Sequence, residues 1–248
     1  MICPMSFSDG GYAVLEGFLD PGEVAVASEE VERLLEAPAD PSCERPQNTL
    51  VPLRWATPLV GLVLSSTRRT RRVAQAVQAE DLRWISGYVS VKDPRSEPLD
   101  WHQDWWCWDH PVSGEPEAPQ VALLTYLCDT DERNAALRVR PGSHRAPAAD
   151  SLTLSLAAGD AAVIDYRLLH GTHANATDAR RDCLLLNFAP SWRALPEDIR
   201  GHLIQHPALP ADGEPPPAAA WADALLPRHD GPRRDLPLSR TPPHLAAL

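Results

Sequence analysis

The sequence contains no uninterrupted run of about 18 apolar residues, and it therefore predicts no transmembrane helix. Its first residues lack a basic segment followed by an apolar stretch, so we expect no secretory signal. Basic side chains are in the minority: 23 lysines and arginines stand against 34 acidic residues, which gives a formal net charge of −11. Because such a surface repels phosphate groups, we expect binding neither to nucleic acid nor to anionic membranes.

The cysteines lack the pairing pattern of a disulfide framework. They number five, which is odd, and no two of them form a C-x-x-C pair. They are Cys3, Cys43, Cys107, Cys128 and Cys183. We expect them to be reduced packing residues, and together with the lack of an export or membrane segment this predicts a cytoplasmic protein.

What is present has the composition of an ordinary globular protein, with 44% hydrophobic and 23% charged residues. The length of 248 residues suits a single domain over 1–248. Within it we expect a helical N-terminal part over about 1–80, a barrel core over about 82–192 and a proline-rich arm over about 193–248. The sequence leaves open whether this arm covers the barrel or is a flexible tail, and it does not fix the oligomeric state.

The N-terminal part shows helix signals. Asp20 followed by Pro21 is a typical N-cap with proline in the first turn, and Pro38 and Pro41 are expected to end this helix. A short strand at Tyr12–Leu15 precedes it. Two further helices are predicted over Pro58–Leu64 and Arg69–Val77.

From Leu82 onward the apolar period changes from helical to alternating, and short strands follow one another between turn residues. After the strand that begins near Leu82, further strands are predicted at Leu99–Trp105, Val121–Leu127, Ala136–Arg140, Ser151–Leu156, Ala161–Asp165 and Arg181–Ala189. Helices in front and many short strands behind, without βαβ alternation, indicate a mainly β protein with flanking helices, an antiparallel sandwich or barrel.

Alternation in the first strand of this core assigns its side chains to two faces. One face is expected to carry Trp84, Ser86, Tyr88 and Ser90, and the other Ile85, Gly87, Val89 and Val91.

The segment WHQDWWCW places His102 and Asp104 two residues apart. On a strand both side chains would share one face and point into the barrel. An imidazole and a carboxylate in this arrangement can take adjacent positions on a divalent metal, and a third ligand from a distant strand would leave further positions open. An H-x-D triplet is common enough by chance that it proves nothing alone.

A second informative segment follows the predicted strand Ala161–Asp165. His170 lies beyond the end of this strand, where functional residues tend to gather. Arg180 and Arg181 lie ten and eleven residues farther, on the next strand. A guanidinium there could form a bidentate ion pair with a carboxylate beside the metal.

The order of H-x-D, a proline-glycine turn, a distal histidine and then an arginine resembles the phytanoyl-CoA dioxygenase-type iron(II)/2-oxoglutarate oxygenases. The resemblance rests on GYAVLEGFLDPGEV, WHQDWW, NAALRVRPGSHR and LLHGTHANATDARR, and it covers about residues 10–190. It implies a double-stranded β-helix, a jelly-roll or cupin-like barrel flanked by helices. The arm has no counterpart in this resemblance.

The resemblance also implies roles for single residues. His102, Asp104 and His170 would bind Fe(II), and the presence of Asp104 argues against the halogenating relatives, which replace that carboxylate. The distal carboxylate of 2-oxoglutarate would be bound by the arginine that follows the second histidine.

For that arginine the spacing in the family favours Arg181, with Arg180 as the alternative that differs by one residue of strand register. Thr172 matches a position where the family often has a hydroxyl that bonds the same carboxylate. His110 and His173 lie near the ligand segments, and we expect surface or supporting roles for both.

The substrate pocket is implied less specifically. Ser86, Tyr88 and Ser90 fall at or beside pocket-lining positions of the family, although the serines are smaller than the usual glutamine or asparagine. Three tryptophans close behind the ligands are candidates for a dry wall against the substrate, and packing at the barrel end is the alternative; they are Trp105, Trp106 and Trp108.

The resemblance implies that 2-oxoglutarate and O₂ are consumed, that succinate and CO₂ are formed, and that a C–H bond of the substrate is oxidised. Hydroxylation, desaturation and ring closure, including orthoester formation, are the outcomes to consider. We expect a small specialised metabolite, as in antibiotic biosynthesis, to be the substrate. Two other classes stay open: a zinc-dependent hydrolase on the same three ligands, and a catalytically silent barrel that serves as a binding module.

Overall fold

The computed structural model describes residues 6–36, 46–215 and 219–242 and contains two antiparallel sheets with flanking helices. The strands are β1 Tyr12–Leu15, β2 Thr49–Leu53, β3 Arg83–Lys92, β4 Leu99–His102, β5 Val121–Tyr126, β6 Leu137–Val139, β7 Leu152–Leu154, β8 Ala161–Asp165, β9 His170–Thr172 and β10 Arg181–Ala189. The helices are α1 Phe7–Gly10, α2 Pro21–Leu35, α3 Pro58–Leu64, α4 Thr67–Ala76, α5 Glu197–Leu203 and α6 Ala220–Leu225.

The larger sheet has the strand order β1-β8-β5-β10-β3-β2 and the smaller one the order β4-β9-β6-β7. Neighbouring strands pair in an antiparallel manner in both sheets, and many of them are far apart in the sequence. This is the double-stranded β-helix that the sequence resemblance implies. Both sheets contribute to one buried apolar cluster, which includes Leu124 and Tyr126 of β5 and Leu137 and Val139 of β6. The space between the sheets is therefore the interior of the barrel.

The helices cover the other face of the larger sheet. Ala27 and Val31 of α2 and Val60 of α3 are fully buried in a cluster that also contains Val89 of β3 and Leu184 of β10. Burial of each valine or leucine side chain contributes roughly 1.5–3 kcal/mol, so this layer supplies much of the stability of the fold. The apolar period in the sequence of the helices is thus satisfied against the sheet.

The start of α2 is as expected from the sequence. The carboxylate of Asp20 accepts a hydrogen bond of 2.9 Å from the amide of Glu23, and the Glu23 side chain accepts one of 3.0 Å from the amide of Asp20. This reciprocal capping satisfies two of the amides that a helix leaves free at its N-terminus. The helix ends at Leu35, and the predicted stop at Pro38 and Pro41 lies outside the described residues.

Several element boundaries differ from the sequence expectation. The strand expected at Leu99–Trp105 ends at His102, because the chain turns into a loop there. Strands β2 and β9 and helices α1, α5 and α6 have no counterpart among the predicted elements. Strand β2 contains Pro52 and is nevertheless possible because it lies at the sheet edge, where a missing amide costs no ladder hydrogen bond.

The expected alternation on β3 is wrong at its start. Ser86 pairs with Asn187, but the next pair joins Trp84 to Phe188, so Ile85 is an extra residue in a β-bulge. Trp84 consequently packs in the helix-side core with Val89, and does not share the face of Ser86. A bulge inverts the alternation on one side of itself, which periodicity alone does not reveal.

Within the described part of the chain, no helix is long and apolar enough to cross a membrane. Cys107, Cys128 and Cys183 are free thiols, as expected, while Cys3 and Cys43 lie outside the described residues. Burial raises the pKa of all three described thiols, which keeps them protonated and unreactive.

Candidate metal and co-substrate site

Three side chains from two distant segments of the chain converge at one end of the smaller sheet. His102 is the last residue of β4 and His170 the first residue of β9, and these two residues are paired across the strands. Asp104 follows two residues after β4. One ligand atom from each of the three side chains, a nitrogen or a carboxylate oxygen, lies within 4.8 Å of the other two. Among the described residues, this is the one cluster of three or more His, Cys, Asp or Glu side chains that could bind a metal ion.

The distances within this triad suit a shared cation. Nε2 of His102 lies 3.7 Å from one carboxylate oxygen of Asp104, and Nε2 of His170 lies 3.6 Å from the other. The two imidazole rings have their centres 4.2 Å apart. An ion with bonds of about 2.0–2.2 Å to each ligand would need only small shifts of these side chains. Two imidazoles and one carboxylate form the donor set of non-haem iron sites with open positions.

The hydrogen bonds of the two histidines direct the right nitrogen into the site. Nδ1 of His102 lies 2.8 Å from the carbonyl oxygen of Asp100, and Nδ1 of His170 lies 2.9 Å from that of Leu168. A carbonyl only accepts, so Nδ1 carries the proton and Nε2 presents its lone pair. Burial and the neighbouring His102 hold the pKa of His170 well below its ordinary value. His170 is therefore neutral at pH 7, which is the form that binds metals.

Asp104 reaches the triad from a loop, and its expected place on a strand is wrong. The amides of Asp104 and Trp105 both donate hydrogen bonds of 2.9 Å to the carbonyl oxygen of Tyr166. Tyr166 lies between Asp165 and Arg167, which form a fully buried ion pair of 2.7 Å. The loop that carries the carboxylate is thus attached to a rigid turn between β8 and β9.

Arg181 lies in the barrel interior with its charge uncompensated. It begins β10, is 2% exposed, and its guanidinium lies 5.4 Å from the ring centre of Tyr126. Its Nε has no hydrogen-bond partner, and no described carboxylate pairs with it. A buried cation without a counter-ion is costly, so this position calls for an anionic ligand.

Arg180 points the other way. It bonds the carboxylate of its strand neighbour Asp182 at 2.8 Å and that of Glu32 on α2 at 2.6 Å. Adjacent residues of a strand face opposite sides of the sheet, and only one of the two arginines can point into the barrel. The geometry therefore favours Arg181 over Arg180 as the interior cation.

Lys92 lies beside Arg181, and no pattern in the sequence selects it as a site residue. Lys92, the only lysine of the chain, is the direct partner of Arg181 between β3 and β10 and is 1% exposed. Its ammonium donates to the carbonyl oxygen of Glu97. Burial, Arg181 and Arg138 lower the pKa of Lys92 to about 8, against an opposing effect of Glu97. Two cations thus share one buried end of the barrel.

Thr172 lies on the interior face of β9. It pairs with Leu137 of β6, as His170 pairs with Val139, and both partners belong to the buried interior cluster. Its hydroxyl accepts a hydrogen bond of 3.4 Å from the amide of Leu99. The hydroxyl consequently lies on the same face as His170.

The predicted pocket residues on β3 are partly brought to this interior. The hydroxyl of Ser86 accepts a hydrogen bond of 2.8 Å from the amide group of Asn187, and Ser86 is near enough to the Tyr166 hydroxyl to influence its pKa. Tyr88 reaches the C-terminal arm instead, with its hydroxyl 3.4 Å from Nε2 of His206. Ser90 pairs with Cys183 at mid-strand and is half-buried.

The tryptophans that follow the ligands in the sequence are buried in the core. Trp105 and Trp108 are buried in an apolar cluster with Ile199 of α5, and the indole of Trp105 donates to Ser113 at 2.8 Å. Trp106 donates to Gln120 at 2.7 Å and is 8% exposed. These contacts support packing for Trp105 and Trp108.

Two further histidines do not join the triad. Nδ1 of His110 accepts a hydrogen bond from the amide of Val112, and its Nε2 lies 3.4 Å from Asp198. His110 also lines a separate surface cavity of about 720 Å³ that contains none of the triad. His173 lies 2.9 Å from the Thr153 hydroxyl.

Gly171, between His170 and Thr172, offers a test of this packing. A Cβ at this position would lie 2.6 Å from the carbonyl oxygen of Leu99 and 3.1 Å from that of Asp100. We expect Gly171→Ala to displace β4, to lower the free energy of unfolding by about 1–3 kcal/mol and to weaken metal binding, measured by denaturant titration and metal titration.

Gly61 in the middle of α3 is the matched control, since no atom lies within 4 Å of its would-be Cβ. Gly61→Ala is expected to leave metal binding unchanged and to stabilise the chain by up to about 1 kcal/mol through helix propensity. An unfolding midpoint of Gly171→Ala equal to that of the parent chain would contradict the described contact between β4 and β9.

Comparison with known proteins finds the same fold and related sequences. HygX from Streptomyces hygroscopicus, whose structure was solved with nickel, 2-oxoglutarate and hygromycin B bound, superposes with a TM-score of 0.61 at 22% identity, covering 74% of this chain and 84% of that one. A probable alpha-ketoglutarate-dependent hypophosphite dioxygenase from Stutzerimonas stutzeri is 22% identical over 74% of this chain and 76% of its own length. Dioxygenase ALT11 from Alternaria alternata is 28% identical over 49% of this chain, which spans only 43% of that relative.

The three candidate ligands, two imidazoles and a carboxylate, have the donor set of a non-haem iron site, and they lie in a fold that HygX shares. The family model for phytanoyl-CoA dioxygenase (PhyH) matches residues 7–183, and the chain belongs to that family. The family resemblance found in the sequence is thereby confirmed.

Proposed function

We propose that this protein is an Fe(II)/2-oxoglutarate-dependent dioxygenase that oxidises a C–H bond of a small specialised metabolite, by hydroxylation or oxidative ring closure. In this reaction 2-oxoglutarate would be decarboxylated to succinate. The observation that carries the proposal is the convergence of His102, Asp104 and His170 on the same interior that buries the unpaired Arg181.

The three ligands would hold Fe(II) on one side and leave the other coordination positions to the co-substrate and O₂. The iron, when bound, supplies the activation of O₂ that no side chain can perform. The protein orients both imidazoles through the carbonyl oxygens of Asp100 and Leu168 and holds Asp104 through Tyr166.

A dicarboxylate fits the remaining features. Arg181 and Lys92 would bind the carboxylate of 2-oxoglutarate that is distal from the metal, with the Thr172 hydroxyl as a further donor. A bound carboxylate would neutralise two cations that otherwise form no ion pair with the described residues. A zinc-dependent hydrolase would not require two buried cations beside the metal site. A catalytically silent binding module would not require three side chains arranged to bind a metal.

A small, organic substrate is supported by the hygromycin B complex of the structural neighbour. Oxidative ring closure and hydroxylation start from the same abstraction of a hydrogen atom, so the position of the substrate decides between them. The acidic net charge of −11 gives no support to a polyanionic substrate.

The decisive experiment is anaerobic reconstitution. The purified chain mixed with Fe(II) and 2-oxoglutarate is expected to develop a weak visible charge-transfer band, and air should then allow succinate formation. Zn(II) with 2-oxoglutarate is the control and should produce no band. A chain that binds Zn(II) tightly, gives no band with Fe(II) and forms no succinate would refute the proposal in favour of one of the two alternatives.

The titration of Lys92 predicts how 2-oxoglutarate binding depends on pH. Since its pKa is lowered to about 8 in the folded chain, the ammonium loses its proton as the pH rises through this value. We expect the dissociation constant of 2-oxoglutarate to rise between about pH 7 and 9.5. Titrations that monitor the visible band at each pH measure this constant. Without co-substrate, the free energy of unfolding should increase between about pH 8 and 10.5, because the unfolded chain binds more protons there than the folded one.

Lys92→Arg is the control for this dependence, because guanidinium stays charged throughout. Its 2-oxoglutarate affinity is expected to be nearly independent of pH. A parent chain with the same flat profile would exclude Lys92 from the co-substrate site.

A further inference from the structure

The C-terminal arm brings two histidines to the edge of the barrel interior. His202 is in α5, and His206 follows in the turn after this helix, with its amide bonded to the carbonyl oxygen of Leu203. The His202 ring stacks on Trp106 with the ring centres 4.2 Å apart and an interplanar angle of 25°. Nε2 of His206 lies 3.4 Å from the Tyr88 hydroxyl. Both histidines are half-buried, so each keeps a face toward open space.

These contacts continue to the metal ligands. Burial raises the pKa of Tyr166, and Asp104 and Tyr88 add to this effect while Ser86 opposes it, so the Tyr166 hydroxyl lies near all three. Tyr166 also packs against the apolar cluster that contains Trp106. Six side chains therefore run from the metal site to the arm, and we call them the polar row. The polar row consists of Ser86, Tyr88, Tyr166, Trp106, His202 and His206.

The arm is fixed in this position by several contacts. The amide of Ser239 donates to the carbonyl oxygen of Trp106 at 2.8 Å, and the amide of Trp108 donates to that of Ser239 at 2.9 Å. Nδ1 of His202 accepts a hydrogen bond of 3.2 Å from the amide of Leu236. The arm therefore contacts the same loop that carries Asp104, and the match to the family model ends before it, at residue 183.

The polar row offers hydrogen bonds without charge. Its hydroxyl groups and two imidazoles can form hydrogen bonds, while the Trp106 indole, whose N–H is bonded to Gln120, contributes an aromatic surface. The polar row contains no lysine, arginine or acidic residue. Burial, and to a smaller degree His202, lower the pKa of His206, so that this ring is neutral at pH 7. Hydroxyl and imidazole groups beside aromatic faces recognise the hydroxyls and ring faces of uncharged compounds, while a charged group would find no counter-ion.

We infer that the arm determines substrate specificity, and that His202 and His206 with Tyr88 bind a neutral, hydroxyl-rich ring compound such as a glycoside. The inference rests on the proposed function, because it places the substrate beside the iron. The inference goes beyond the proposed function because it assigns substrate recognition to the arm, which lies outside the region that matches the family model.

The test uses the full chain loaded anaerobically with Fe(II) and 2-oxoglutarate. A panel of neutral glycosides is offered together with matched compounds that carry an amine or a carboxylate in place of one hydroxyl, and binding is measured as a perturbation of the visible band. Neutral members are expected to bind at least about tenfold more tightly than their charged counterparts. Equal or tighter binding of the charged counterparts, or no response to any neutral member, would overturn the inference.

Variants then locate the binding to the arm. His206→Leu and Tyr88→Phe are each expected to weaken glycoside binding about tenfold, and His206→Gln, which keeps an N–H donor, should recover most of it. His173→Leu, on the other sheet, should have no effect. Unchanged glycoside binding in His206→Leu would overturn the role of the arm. Formation of the unperturbed band in every variant separates this result from a failure of the proposed iron and 2-oxoglutarate chemistry.

Discussion

Replacing His170 with alanine is expected to abolish the band of the Fe(II) and 2-oxoglutarate complex and to lower succinate formation by more than about 1,000-fold, which corresponds to about 4 kcal/mol. The reason is that His170 and His102 present the only two imidazole nitrogens of the triad, 3.6 and 3.7 Å from Asp104. Two ligands cannot hold the metal with the geometry of three. Iron content and succinate yield measure the effect.

Because His170 is buried, His170→Ala could lose the band through misfolding. Two further variants distinguish misfolding from loss of a metal ligand. Asp104→Asn changes a side chain that is 36% exposed, and it should cause the same loss of the band with little change in stability. His173→Ala removes a histidine three residues farther along, outside the triad, and should retain iron and activity. Loss of the band in His173→Ala together with its retention in Asp104→Asn would show that the ligands are wrongly assigned.

Arg181→Gln is the second change with a large expected effect. Removing one partner of a buried charge pair costs about 2–5 kcal/mol, so the dissociation constant of 2-oxoglutarate should rise by about 30-fold or more. Without co-substrate, the same variant should be as stable as the parent chain or more stable, because it removes a buried guanidinium that has no acidic partner among the described residues. Band titrations and denaturant unfolding measure the two quantities.

Arg180→Gln is the neighbouring control. It breaks the ion pairs with Asp182 and Glu32 on the helix side of the sheet, at a cost of about 1 kcal/mol or less. Its affinity for 2-oxoglutarate should be unchanged. If Arg180→Gln loses that affinity and Arg181→Gln retains it, the strand register of β10 is wrong by one residue.

The parts of the fold that the sequence predicts well are those with a local cause. The capped start of α2 depends on Asp20, Pro21 and Glu23, which lie within one turn. Strands β1, β8 and β10 have the expected bounds because runs of mainly apolar residues between turns mark them. In contrast, β9 has only three residues, too few for any period to be visible.

The candidate site also combines features that the sequence predicts with features that depend on strand pairing. His102, Asp104 and His170 could be selected from their order and spacing, through resemblance to a family. Their convergence depends on the pairing of β4 with β9, and Asp104 reaches it from a loop and not from the expected strand. Lys92 shows no signal in the sequence, because its importance comes from lying opposite Arg181 on a strand that is distant in the chain.

Residue identity and local pattern by themselves show which donor atoms the protein carries and indicate a mainly β protein with flanking helices, while the resemblance to a family implies the double-stranded β-helix that brings these atoms together. Only the tertiary structure shows that Arg181 and not Arg180 points into the barrel, places the bulge at Ile85 and brings the arm to Tyr88. The physical reason is that a strand side chain changes face with every residue, so its surroundings depend on a register that hydrogen bonds between distant strands set.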